Sequence, residues 1–212
     1  ISVEEAERLV TPKGEWLLWT ERYPSKEGVF LSYGLAKQSQ YWQGYVYAKT
    51  QQQLDEKLAQ RLIQLEALGI FLPENSSLDI STLNAMIKRS PDDVDLLLLL
   101  ANHYLEVKQF DVVLSYAQKL IKVSSSFGFS PYRAKAHWLI AEVYSKRHKY
   151  QLASNALNNM ATSLDKTGLW PLRFEHIKSS AWLAKSQAAF DDMFNILDKG
   201  IEFGVTQDNA LL

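Results

Sequence analysis

The chain has 212 residues, 47% hydrophobic and 12% aromatic, and a formal charge of −1. That apolar content supports a packed core and argues against a disordered chain, while the balanced charge gives no electrostatic footprint for nucleic acid or an anionic membrane. The absence of cysteine excludes disulfides and thiolate metal sites, and the longest apolar run, 96–101, falls far short of the roughly 18 residues a membrane span needs.

Taken from the N-terminus, helical signals dominate. The first residue is Ile1, and no signal-like segment follows it, so the chain reads as a processed protein or a piece of a longer one. Segments 4–10 and 15–22 are predicted as short helices. The aromatic cluster Trp16, Leu17, Leu18 and Trp19 reads either as a cap for the fold or as a face toward another domain. Segment 28–47 is predicted as a less regular helical stretch that contains Gly34 and Gly44. Leu54, Leu58, Leu62 and Leu65 recur at helical spacing and predict a helix over 51–68. Pro73 opens a short linker over 73–77, and 81–89 reads as the second helix of a preceding unit. Five of the six prolines (Pro24, Pro73, Pro91, Pro131 and Pro171) sit where a helix should start or stop. No run shows polar–apolar alternation flanked by turn residues, so the expected fold class is all-α.

From 91 onward the chain predicts three helical hairpins, over 91–127, 131–165 and 171–204. Ser90, Pro91, Asp92 and Asp93 supply a cap and acidic first-turn residues for the first. Its helices are expected over 94–107 and 110–123, the next pair over 132–146 and 150–164, and the last over 171–186 and 190–203, with Gly204 as the stop. Residues 207–212 read as the start of a further helix. The expected organisation is an N-terminal helical region, 1–72, holding a degenerate unit or cap. A repeat array over 81–212 follows, the whole forming one superhelix. The serine-rich link at 124–130 carries Phe127, Gly128 and Phe129, read as a local staple or an exposed contact.

A fixed period runs through these hairpins. Ala101, Ala141 and Ala181 are forty positions apart, as are Phe110, Tyr150 and Phe190. Tyr104 and Tyr144 follow the first two alanines at the same offset. Set beside the tetratricopeptide repeat, which these positions resemble, Ala153 matches the small site of the second helix, Val113 and Met193 depart from it, and Ala117 and Leu120 stand where that motif has a large and then a small residue. A period of roughly 20–50 residues is the signature of stacked repeats. The pattern resembles the tetratricopeptide repeat, well over 81–204 and loosely over 24–70. The repeat is longer than usual, similar to the long-helix arrays of bacterial regulators.

The resemblance implies an α-α superhelix whose first helices line a concave, partner-binding groove. Carried onto this chain, the groove positions are Leu98, Asn102 and Leu105 from the first unit. The second gives Trp138, Glu142 and Lys146, and the third Lys178, Trp182 and Lys185. Trp138 and Trp182 would be apolar anchors and the lysines basic contacts; the alternative is that both tryptophans belong to the core between units. Asn102 occupies the position where the family holds a peptide backbone, but the lysine and second asparagine of its carboxylate clamp are missing. The expected function is protein–protein interaction or ligand sensing, as a segment of a larger bacterial regulatory protein. A small-molecule or signalling-peptide effector and an envelope or periplasmic scaffold are the alternatives, and the compartment stays open. No cofactor fingerprint or nucleophile motif occurs. His103, His137, His148 and His176 lack ligand spacing, so neither a metal nor an enzyme activity is expected.

Overall fold

The computed structural model describes the backbone of residues 16–37, 40–70 and 79–211. The helix predicted at 4–10 and the linker at 73–77 lie outside the described residues, as does residue 15.

The N-terminal part corrects the all-α expectation. Residues predicted as helical form a three-stranded antiparallel sheet, β1 Leu17–Ser25, β2 Gly28–Lys37 and β3 Gln40–Ala48, in the order β1-β2-β3. The helices expected at 15–22 and 28–47, and the degenerate helical unit with them, are therefore replaced by strands. The physical reason lies in β2, which is covered on both faces. Leu31, Tyr33 and Leu35 point into one core, while Phe30 joins the other. Between them sit Ser32, Gly34 and Ala36, so the alternation is one of size rather than polarity. Both glycines serve close approaches. Trp19 lies opposite Gly34, and a Cβ there would be 2.2 Å from its ring; Tyr33 lies opposite Gly44, where a Cβ would be 2.3 Å from the phenolic oxygen.

Eight α-helices follow among the described residues: α1 Gln51–Leu68, α2 Ile80–Arg89, α3 Val94–Glu106, α4 Phe110–Val123, α5 Ser130–Lys146, α6 Tyr150–Leu164, α7 Trp170–Ser186 and α8 Phe190–Leu211. Thr50 caps α1 by accepting from the Gln53 N–H, and Asp93 caps α3 by accepting from the N–H groups of Asp95 and Leu96. The last helix does not stop at Gly204 but continues through it to Leu211. None of the described helices is long and apolar enough to cross a membrane.

Helices α3/α4, α5/α6 and α7/α8 are joined by short turns and pack as neighbours. Each turn holds a non-glycine residue in the left-handed region: Lys108 (φ 59), His148 (φ 56) and Ala188 (φ 56). The following N–H in each case (Gln109, Lys149, Ala189) bonds back to the carbonyl of Tyr104, Tyr144 or Ala184, closing the same C-terminal turn three times. In the 3₁₀ turn Phe127–Phe129 the two phenylalanines differ, and Phe129 is 41% exposed. Phe127 packs against Phe30 at 5.4 Å and Tyr47 at 5.3 Å between ring centres, so the link docks on the sheet.

A buried polar cluster fastens the sheet to the helices. Asp95, in the first turn of α3, is 1% exposed. Arg61 of α1 donates to it through Nε at 2.8 Å and Nη2 at 2.5 Å, and also grips Asp93 through Nη1 at 2.7 Å and Nη2 at 2.8 Å. The Tyr33 hydroxyl donates to Asp95 at 2.5 Å, and the Tyr132 hydroxyl of α5 donates to its other oxygen while accepting the Tyr45 N–H at 2.7 Å. Burial pushes the Asp95 carboxyl up, and the Arg61 charge with the two hydroxyls counters it. A charge this deep is tolerated only when paired and hydrogen-bonded, as here.

Candidate functional site

The groove that gathers most of the predicted positions lies between α5, α7 and α8. It encloses about 750 Å³ and includes Trp138, Glu142, Lys178, Trp182 and Lys185 in its wall. Spacing explains the convergence: Trp138 and Glu142 are one turn apart on α5, while Lys178, Trp182 and Lys185 share one side of α7. The third wall is α8, which contributes Leu197 and Ile201. This helix can approach because Gly200 is bare; a Cβ there would lie 2.9 Å from Ile177 Cγ2. Glycine at 200 thus serves helix crossing inside α8, whereas a Cβ at Gly204 would meet Phe174 at an ordinary contact distance of 3.4 Å.

The two tryptophans differ. Trp138 is half-buried and its indole N–H donates to Ser179 Oγ at 3.1 Å, fixing it across the α5–α7 junction. Lys135 sits 5.4 Å from its ring centre and donates to both Glu175 oxygens, at 2.9 and 2.7 Å. Trp182 is 61% exposed, with the Lys185 ammonium 5.0 Å from its ring centre. An anchor on the floor and a free indole at the rim are what the two side chains offer a ligand.

Glu142 is the half-buried carboxylate of the groove. Burial pushes it above the ordinary carboxylate value and Glu175 adds to this, while Lys146 and Lys178 oppose it. Lys146 lies 3.9 Å from Glu142, exposed at the end of α5 and outside the groove wall. The remaining positions are elsewhere. Leu98 is 6% exposed in the core, Leu105 packs against that core, and Asn102 is half-buried on α3 outside the groove.

Sequence reasoning missed Lys135, Phe174, Glu175 and Ser179, together with the whole α8 wall. The Lys135–Glu175 pair carries a signal that was available, since the two are forty positions apart with opposite charge and so face each other between successive units. The histidines are dispersed, and no group of three metal-capable side chains occurs among the described residues. Burial pushes His137 down, with Arg133 adding, and burial likewise pushes His176 down against a backbone contact at Leu157. No protein-family model matches the chain, and no curated protein matches it either.

Proposed function

We propose that this chain is a recognition module, its hairpins stacked in the manner of tetratricopeptide arrays, and that it binds a peptide or protein segment in the α5–α7–α8 groove. The observation that carries this reading is the convergence of an anchored Trp138 and a solvent-facing Trp182 on one apolar groove edged by Lys178 and Lys185. Apolar anchors with charged rims are how helical and extended ligands are held. The recurring turn at Lys108, His148 and Ala188 supports the repeat reading. In the fuller form of the proposal the module belongs to a larger bacterial regulatory protein and reports binding by altered packing between hairpins.

The test is to pan a random peptide display library against the chain, with the Trp182→Ala variant for counter-selection, and to titrate the recovered peptides by calorimetry. Peptides specific to the groove lose at least about tenfold in affinity with Trp182→Ala and again with Lys178→Ala, the scale of an interface anchor. Peptides that bind all three proteins alike would sink the assignment. A small-molecule effector is the second reading, favoured by a volume of about 750 Å³, within the roughly 300–1,000 Å³ typical of such pockets. A metabolite library read by thermal shift separates the two, since only that reading gives hits abolished by Trp182→Ala.

A further inference from the structure

Helix α8 presents an apolar row of which only Leu197 and Ile201 line the groove. Phe190, Phe194, Leu197, Ile201 and Val205 follow at steps of three and four residues, which places them on one face. All five are between 40% and 66% exposed, and Trp182 of α7 continues the patch. Together the six expose roughly 650 Å² of side chain on ordinary residue areas, at or above the largest apolar patch of a typical monomer.

The charges beside this patch are arranged asymmetrically. At about 100° per residue, Asp191, Asp198 and Glu202 fall on one flank of the row, and all three are exposed. On the other flank the row passes into the groove, whose far rim carries Lys178 and Lys185. A two-fold axis perpendicular to α8 would set acidic flank on acidic flank and lysine on lysine. An axis running along α8 instead brings the acidic flank of each copy to the lysine rim of the other.

We infer that the α8 face is a self-association surface, on which a second copy of this chain packs with its α8 parallel to the first. Such a pair removes at most about 1,300 Å² of this apolar surface, at the lower end of the roughly 1,200–2,000 Å² of a standard stable interface. The seam shares Trp182, Leu197, Ile201 and both rim lysines with the groove, so a second copy and a peptide would compete for this face; the inference is read by mass and the recognition reading by ligand binding, so their failures are distinguishable.

The test is sedimentation equilibrium of the 212-residue chain from about 1 to about 200 μM, where self-association shows as concentration-dependent mass. The wild type should approach twice the monomer mass. A Phe194→Asp/Ile201→Asp variant, altered only at exposed positions, should keep its circular dichroism and weaken the dimer at least about a hundredfold, since it places carboxylates in an apolar seam. Lys178→Glu/Lys185→Glu should weaken it by about tenfold or more, and adding Asp198→Lys/Glu202→Lys should restore it. A monomer at the highest concentration, a dimer indifferent to the aspartate pair, growth beyond two copies, or failure of the charge exchange to restore association would each overturn the inference.

Discussion

Replacing Arg61 with methionine keeps the aliphatic reach of the side chain and removes its charge from the cluster beneath the sheet. The Asp95 side chain is 0% exposed and that of Arg61 13% exposed, so water cannot take over the lost contacts. Asp95 would retain only the Tyr33 and Tyr132 hydroxyls as side-chain donors, and Asp93 would lose two guanidinium bonds. Stripping one partner from a buried ion pair costs about 3–5 kcal/mol, against a total of roughly 5–15 kcal/mol for a domain. At about 2–4 °C per kcal/mol for a chain of this size, the melting temperature should fall by roughly 6–20 °C. Urea unfolding followed by circular dichroism gives the free energy directly. The decisive comparison adds Asp95→Asn, which keeps the shape but needs no counter-charge, so the double variant should recover at least about 1 kcal/mol over Arg61→Met. A single-variant loss below about 1 kcal/mol, or a double variant weaker than the single, would refute the view that this charge pair fastens sheet to helices.

Three further outcomes are expected. Gly168 has φ +68, and a Cβ there would lie 2.2 Å from the Pro24 carbonyl oxygen; Gly168→Ala should cost more than about 2 kcal/mol in urea unfolding, and a neutral result would contradict the contact. Lys108→Gly and Ala188→Gly relieve left-handed non-glycine residues and should each stabilise by about 0.5–1 kcal/mol, seen as a melting temperature higher by roughly 1–4 °C. The depressed His137 and His176 give a definite pH slope. Unfolded imidazoles take up protons near pH 6.5 while the folded ones wait for lower pH, so below about 6.5 the unfolded state binds more protons and stability falls as pH drops. A His137→Gln/His176→Gln variant should flatten that slope, and unchanged curves from pH 7.5 to about 5 would count against it.

Most of the helices were legible because their starts are written locally. The α1 stripe, Asp93 ahead of α3, and the prolines near the starts of α5 and α7 mark their own elements. The sheet was not, because β2 satisfies both faces with large residues on one side and small ones plus Phe30 on the other, a pattern that mimics a helix with glycines in it. Its glycines answered to partners distant in sequence, with Gly44 making room for a tyrosine that bonds to Asp95. Gly204 misled because a glycine late in a helical pattern does not by itself stop the helix, and α8 runs through it to Leu211. At the site, α5 and α7 positions could be named from one-turn spacing on a helix of known handedness. Leu98 and Asn102 obey the same spacing, yet α3 is drawn against the sheet, which no helical repeat pattern anticipates.

The cluster around Asp95 also sets an order of opening. It ties β2, β3, α1, α3 and α5 together, and each of those elements must break its own buried bonds to the cluster before it leaves the others. Helix α8 has no share in it and presents half of one apolar face to solvent. In the single chain, amide protons of α8 therefore exchange through openings that cost little, while those of α3 and the middle strand exchange only when the whole molecule unfolds. The groove is walled on one side by the element that detaches first, so a ligand seated there would slow exchange in α8 far more than anywhere in the sheet.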